Sequence, residues 1–91
     1  MMELILDGEK LTDRESLHDA FADVLHFPDW YGRNLDALFD CLTDLNEETE
    51  IIFCNVGLLE EKLGSYLGLL IKTLGVAAEE NPRIHLRVET E

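Results

Sequence analysis

Positive charge is scarce in this chain: 7 Lys and Arg stand against 20 Asp and Glu, a formal net charge of −13. Contacts to phosphate need Lys and Arg, so direct binding of nucleic acid or of an anionic membrane is disfavoured, while cationic partners are attracted. Cysteine is almost missing. Cys41 and Cys54 make neither a C-x-x-C pair nor a metal-ligand spacing, and they read as free buried thiols of a reducing compartment. Long apolar runs are absent too: the charge-free stretch Leu63 to Ile71 falls far short of the roughly 20 residues that span a bilayer. The opening Met1-Met2-Glu3 has no positive n-region of the signal-peptide kind. A soluble, cytoplasmic chain is expected.

Catalytic motifs are also wanting. No serine sits in a nucleophile elbow, no glycine-rich loop has the phosphate-binding or dinucleotide pattern, and no D-x-D-x-D-G calcium loop occurs. His18, His26 and His85 are scattered, each reading as a surface or half-buried residue rather than a ligand. No catalytic residue, metal or cofactor is expected, and the chain does not read as an enzyme.

The material that is present suits one small domain over residues 1–91: 46% of the residues are apolar, enough for a single core at this size. Met2 to Leu6 reads as a strand closed by Asp7-Gly8. Thr12-Asp13-Arg14-Glu15 has the form of a capping box with Thr12 at N-cap. The helix behind it places Leu17, Ala20, Phe21, Val24 and Leu25 on one face, with His18 off that face and solvated. Pro28 prevents continuation and begins the loop His26 to Arg33. Further on, Glu50 to Val56 is an apolar run without alternation, as in a strand covered on both faces. A helical region from about Leu58 to Glu80 follows, broken at Gly64-Ser65, with Leu67, Leu70, Ile71, Leu74 and Ala78 inward. Gly68 and Gly75 weaken it and leave room for close packing. Asn81-Pro82 ends it. Arg83 to Glu89 alternates, with Ile84, Leu86 and Val88 on the dry side. Strands separated by helices imply a small parallel α/β sheet with helical crossovers.

The stretch Trp30 to Thr43 organises the rest. Leu35, Leu38, Leu42 and Leu45 recur with helical spacing, Asp36, Asp40 and Asp44 share the opposite side, and Phe39 lies on the border. Like charges at i, i+4 each cost about 0.2–0.5 kcal/mol, and this helix holds no Lys or Arg to relieve them. Asn34 suits the N-cap, which places Asp36 in the first turn where the helix dipole favours it. Asp40 has no such excuse. Asp44, near the C-terminal end, is disfavoured by the dipole and reads either as recognition or as general acidity. Tyr31 is expected to cap the core, Trp30 to make a contact, and Gly32 to permit a positive-φ turn or a close backbone approach. From Asp29 to Glu50 there are seven acidic residues and one basic, Arg33. An acidic surface beside loop aromatics points to a basic protein partner.

Tyr31-Gly32-Arg33-Asn34-Leu35-Asp36-Ala37-Leu38-Phe39-Asp40-Cys41-Leu42-Thr43 closely resembles the signature of the barstar family, intracellular inhibitors of barnase-type ribonucleases. The opening strand ending in Asp-Gly-Glu, the capped helix with Leu17-His18 and the closing alternating strand agree more loosely, so the resemblance runs along essentially the whole chain. It implies a three-stranded parallel sheet packed by three to four helices. It implies also that the central helix and its preceding loop plug a ribonuclease active site, with a carboxylate matching Asp40 where a substrate phosphate would lie. By position, Trp30, Gly32, Asn34, Asp36, Phe39, Asp40 and Thr43 match the family's contact residues, and Asp44 adjoins them. The chain departs from the family at Trp30 (there Tyr), Phe39 (Trp), Leu45 (Trp) and Asp44 (Gly), and its counterpart of a contact glutamate on the last helix is not evident. The partner implied is a basic, secreted, barnase-like ribonuclease or a related nuclease toxin, met by a chain that is monomeric when free. The competing readings are an acidic interaction module for a basic partner that is not a nuclease, and a hydrolase using Asp36 and Asp40.

Overall fold

Three parallel strands lie side by side in chain order. In the computed structural model, which describes residues 1–89, they are β1 (Met2–Asp7), β2 (Thr49–Cys54) and β3 (Ile84–Val88), with β2 in the middle. Residues 90 and 91, the end of the expected 1–91 domain, lie outside the described residues. Helices α1 (Arg14–Leu25) and α2 (Leu35–Thr43) connect β1 to β2, and α3 (Val56–Leu63) and α4 (Tyr66–Glu80) connect β2 to β3. Both connections step the same way across the sheet, and right-handed crossovers then place all the helices on one face. This is the three-stranded, four-helix α/β architecture that the resemblance implied.

Register fixes which side chains meet the helices. Leu4 pairs with Ile51, Leu6 with Phe53 and the buried, polar Thr49 with Ile84, and all of these but Thr49 join Leu17, Phe21, Leu38, Leu42, Leu59, Leu70 and Leu74 in the hydrophobic core. Each such side chain contributes about 1.5–3 kcal/mol by leaving water. The other face of the sheet is not helix-covered, contrary to the expectation for β2: Ile5, His85 and Arg87 are exposed there. Ile52 is nonetheless 3% exposed, walled in by its neighbours on the adjoining strands, with Arg87 paired to Glu50 at 3.4 Å on the same face. On β3 only Ile84 is buried; Leu86 and Val88 are exposed, because the helical layer shields only the first residue of that strand.

Several local expectations shift by one residue. The α1 cap is Asp13, not Thr12: its carboxylate accepts from Ser16 N at 2.8 Å, and Ser16 Oγ accepts from Asp13 N at 3.1 Å. Asp caps at least as well as Thr, and Ser16 rather than Glu15 closes the box. The break at Gly64-Ser65 is present, with Gly64 at φ +58° ending α3. The inward stripe of α4 is Tyr66, Leu67, Leu70, Leu74 and Ala77, leaving Ile71 exposed and Ala78 half-buried. Gly68 and Gly75 are not packing glycines, since a Cβ at either would meet nothing within 4 Å. At Gly8 a close approach is real: a Cβ would lie 2.3 Å from the Asn55 carbonyl oxygen, so the turn after β1 seats against the start of α3. Cys41 and Cys54 are free and half-buried rather than fully buried.

Candidate docking surface: the loop before α2 and the acidic face of α2

α1 ends when His26 turns left-handed, at φ 57°, and the chain then folds back on α1. Tyr31 N donates to Pro28 O at 2.9 Å, closing a turn that throws Trp30 outward and Tyr31 inward. Trp30 is 82% exposed and Tyr31 is buried, with Phe27 edge-on to Tyr31 at 4.9 Å between ring centroids. Gly32 does not use positive φ; that conformation falls on Arg33, at φ 56°. The constraint at Gly32 is space, for a Cβ there would sit 3.2 Å from that of Ala37.

His18 holds this loop. It is 1% exposed, not solvated as its place on the helical wheel suggested, with Tyr31 Oη 2.6 Å from Nδ1 and Tyr66 Oη 2.8 Å from Nε2. The histidine gives up exposure because both ring nitrogens find phenol partners. Burial, and secondarily the nearby Arg33 charge, hold its pKa below the ordinary value of 6.5, so the ring is neutral and one tyrosine donates to it while the other accepts. Burial likewise raises the pKa of both phenols. Arg14 lies over the Tyr66 ring at 4.1 Å. Arg33 adds a second tether to α1, pairing with the Asp19 carboxylate and donating to Glu15 O at 3.2 Å.

Asn34 then caps α2 as expected, its Oδ1 accepting from Ala37 N at 2.8 Å. Leu38 and Leu42 are buried, while Leu35, Phe39, Thr43 and Leu45 are half-buried. Thr43 Oγ1 donates to Asp40 O at 3.1 Å, inside the helix. At the far end Asn81, itself buried, donates from Nδ2 to Leu42 O and Leu45 O at 2.9 and 3.1 Å, tying the α2 terminus to the end of α4.

Asp36, Asp40 and Asp44 are all exposed. Among the described residues no cation comes within ion-pair distance of any of them, and Arg33, the basic residue closest to them in the chain, is turned away to Asp19. Loop and helix converge on a cleft of about 240 Å³ lined by Trp30, Tyr31, Gly32, Ala37, Asp40, Cys41 and Asp44. Asp36 and Phe39 instead line a second groove, also about 240 Å³, with Lys72, Thr73 and Val76 of α4. Such a surface can accept a cationic side chain between carboxylates, with an aromatic ring to cover it. No group of three or more metal-ligating side chains assembles among the described residues, and no helix among them is long and apolar enough to cross a membrane. His18, Tyr66 and Asn81 position the surface; from the sequence His18 was expected in solvent and Asn81 only to end a helix, and nothing pointed to Tyr66.

Comparison with known proteins agrees with this architecture. The model of the family described as "Barstar (barnase inhibitor)" matches residues 1–91. A Bacillus subtilis (strain 168) protein named "Putative ribonuclease inhibitor YrdF" is 41% identical over 81 residues, 88% of this chain and 89% of that protein. Matched over residues 1–91 by that family model and 41% identical to a protein named as a ribonuclease inhibitor over 88% of its own length, the chain belongs to the barstar family.

Proposed function

We propose that this protein inhibits a basic secreted ribonuclease by laying α2 and the Trp30 loop across the enzyme's active site, acting as an immunity protein inside the cell that makes the enzyme. One observation carries the reading: a helix in a barstar-family chain keeps Asp36, Asp40 and Asp44 exposed, with no cation among the described residues within ion-pair distance of them. An RNA-cleaving site must be lined with positive charge to hold phosphates, and a row of carboxylates on a rigid helix imitates that polyanion. Asp40, beside the cleft under Trp30, takes the place of a substrate phosphate, with Asp36 and Asp44 on either side along the helix. Trp30, Gly32, Asn34, Phe39 and Thr43 shape the surface round them. The protein binds and blocks; it performs no reaction.

The test is RNA cleavage by small basic ribonucleases, barnase among them, titrated with the purified protein at low and high salt. Stoichiometric inhibition of at least one enzyme is expected, weakening with salt. Asp40→Ala is expected to weaken that inhibition by at least about 30-fold, since it leaves the enzyme's buried cations unmatched. Unchanged affinity in Asp40→Ala would refute this use of the helix. Capture of basic partners that are not nucleases, with no ribonuclease inhibited, would point to a general acidic interaction module instead.

A further inference from the structure

The docking face is not uniformly acidic. Where α4 borders it, the groove beyond Asp36 is lined by Leu35 and Phe39 from α2 and by Lys72, Thr73 and Val76 from α4. The resemblance implies a contact glutamate from the last helix, yet none of these α4 residues is acidic. Val76 is 41% exposed, and Leu69, one helical repeat before it on the same side, is exposed as well. The Thr73 hydroxyl is spent within the helix, donating to Leu69 O at 2.9 Å. Lys72 has no carboxylate within ion-pair distance among the described residues, although Asp36 lines the same groove and acids outnumber bases 20 to 7 in the chain. The groove therefore presents a half-open apolar floor with a free ammonium at its wall, and it is continuous with the acidic face through Asp36.

We infer that this groove receives an apolar side chain from the rim of the bound ribonuclease, flanked there by a carboxylate that pairs with Lys72. The inference rests on the inhibitor reading above and adds to it a second zone of opposite charge. An arginine or lysine on the enzyme's rim would meet Lys72 as a like charge and would strip water from the apolar floor without a partner. A rim carboxylate gains an ion pair, and its apolar neighbour fills the space between Phe39 and Val76. The acidic zone engages the enzyme's catalytic cleft, and the Lys72 groove chooses among enzymes that share such a cleft.

The two views predict opposite signs for one substitution. If the whole face served only to attract positive charge, Lys72→Glu would tighten binding; a zoned face makes Lys72→Glu weaken it. The experiment measures inhibition constants of the wild type, Lys72→Glu, Lys72→Gln, Val76→Ser and Asp40→Ala against a panel of small basic secreted ribonucleases that includes barnase, using the enzyme that the wild type inhibits most tightly. Lys72→Glu is expected to weaken inhibition at least tenfold, Lys72→Gln by less, and Val76→Ser about threefold to tenfold. Thermal melting of each variant confirms that the exposed substitutions leave the fold intact, and Lys72→Gln settles the sign should Lys72→Glu melt early. Unchanged or tighter inhibition by both Lys72 variants, with Asp40→Ala still defective, overturns this inference and leaves the inhibitor reading standing. If the wild type inhibits no enzyme of the panel, the inhibitor reading itself falls and this inference falls with it.

Discussion

His18 carries more of this structure than its type suggests. A ring 1% exposed, with Tyr31 and Tyr66 on its two nitrogens, joins α1, the loop before α2 and α4 at one point. Protonation would add a charge among groups arranged for a neutral ring, beside Arg33, with only Asp19 acting in its favour. The folded pKa lies below the unfolded one, so between the two the unfolded chain binds more protons. The stability gained from the neutral ring is thus fully present above pH 6.5 and is lost as pH falls through that value towards the folded pKa, with a slope of at most about 1.4 kcal/mol per pH unit. Urea unfolding from pH 7.5 down to 5.5 is expected to show that extra slope in the wild type and not in His18→Gln. A parallel slope in both proteins would mean that this histidine does not titrate against the fold. The position was not legible: helical spacing set His18 off the apolar face and gave it to solvent, whereas it is buried. What the sequence could not convey is that two tyrosines, thirteen and forty-eight residues away, would meet it there.

Among the elements, α2 is held rather than self-supporting. Nine residues are too few for a stable helix in water, and its acidic side adds repulsion. It is held by Leu38 and Leu42 buried in the core and fastened at its ends by the Asn34 cap and by Asn81 of the α4 terminus. Asn34→Ala is expected to cost about 1 kcal/mol, and Asn81→Ala about 1–3 kcal/mol because a buried and a part-buried carbonyl lose their donor. Both are measurable by chemical denaturation, with faster amide exchange confined to the affected end of α2. Equal protection of α2 amides in the wild type and Asn81→Ala would mean that the helix does not depend on that tie. Element order, the α2 cap and the break at Gly64-Ser65 were legible because each is written in local chemistry: periodicity, a capping amide, a glycine. The shifts came where tertiary partners decide. α4 turns Tyr66 and Ala77 inward, in the case of Tyr66 because His18 is there to meet it. β3 loses cover after Ile84 because the helical layer ends. The positive φ expected of Gly32 falls instead on Arg33, whose side chain is fixed to α1 on both Asp19 and Glu15.

At the scale of the whole molecule, the net charge of −13 raises the question of whether capture of a basic enzyme depends on total charge or on where the charge lies. Charges separated by more than a Debye length, about 10 Å at 0.1 M salt and about 30 Å at 0.01 M, are screened from one another. In dilute salt a basic enzyme bound as proposed would therefore sense the entire chain, and near physiological salt only the face in front of it. Steered associations in general reach about 10⁸–10⁹ M⁻¹s⁻¹ at low salt, against about 10⁵–10⁶ without steering. Two double variants of identical net charge separate the possibilities: Asp36→Asn with Asp44→Asn on α2, and Glu60→Gln with Glu61→Gln on α3, all four positions exposed in the free protein. Stopped-flow association with an inhibited ribonuclease is expected to give similar rates for the two at 10 mM salt. At 150 mM the α2 variant should fall at least threefold below the α3 variant, because the local field of α2 is then all that the approaching enzyme feels. Equal rates at both salt concentrations would assign steering to total charge, and the unpaired carboxylates of α2 would then act only after contact, through the dissociation rate.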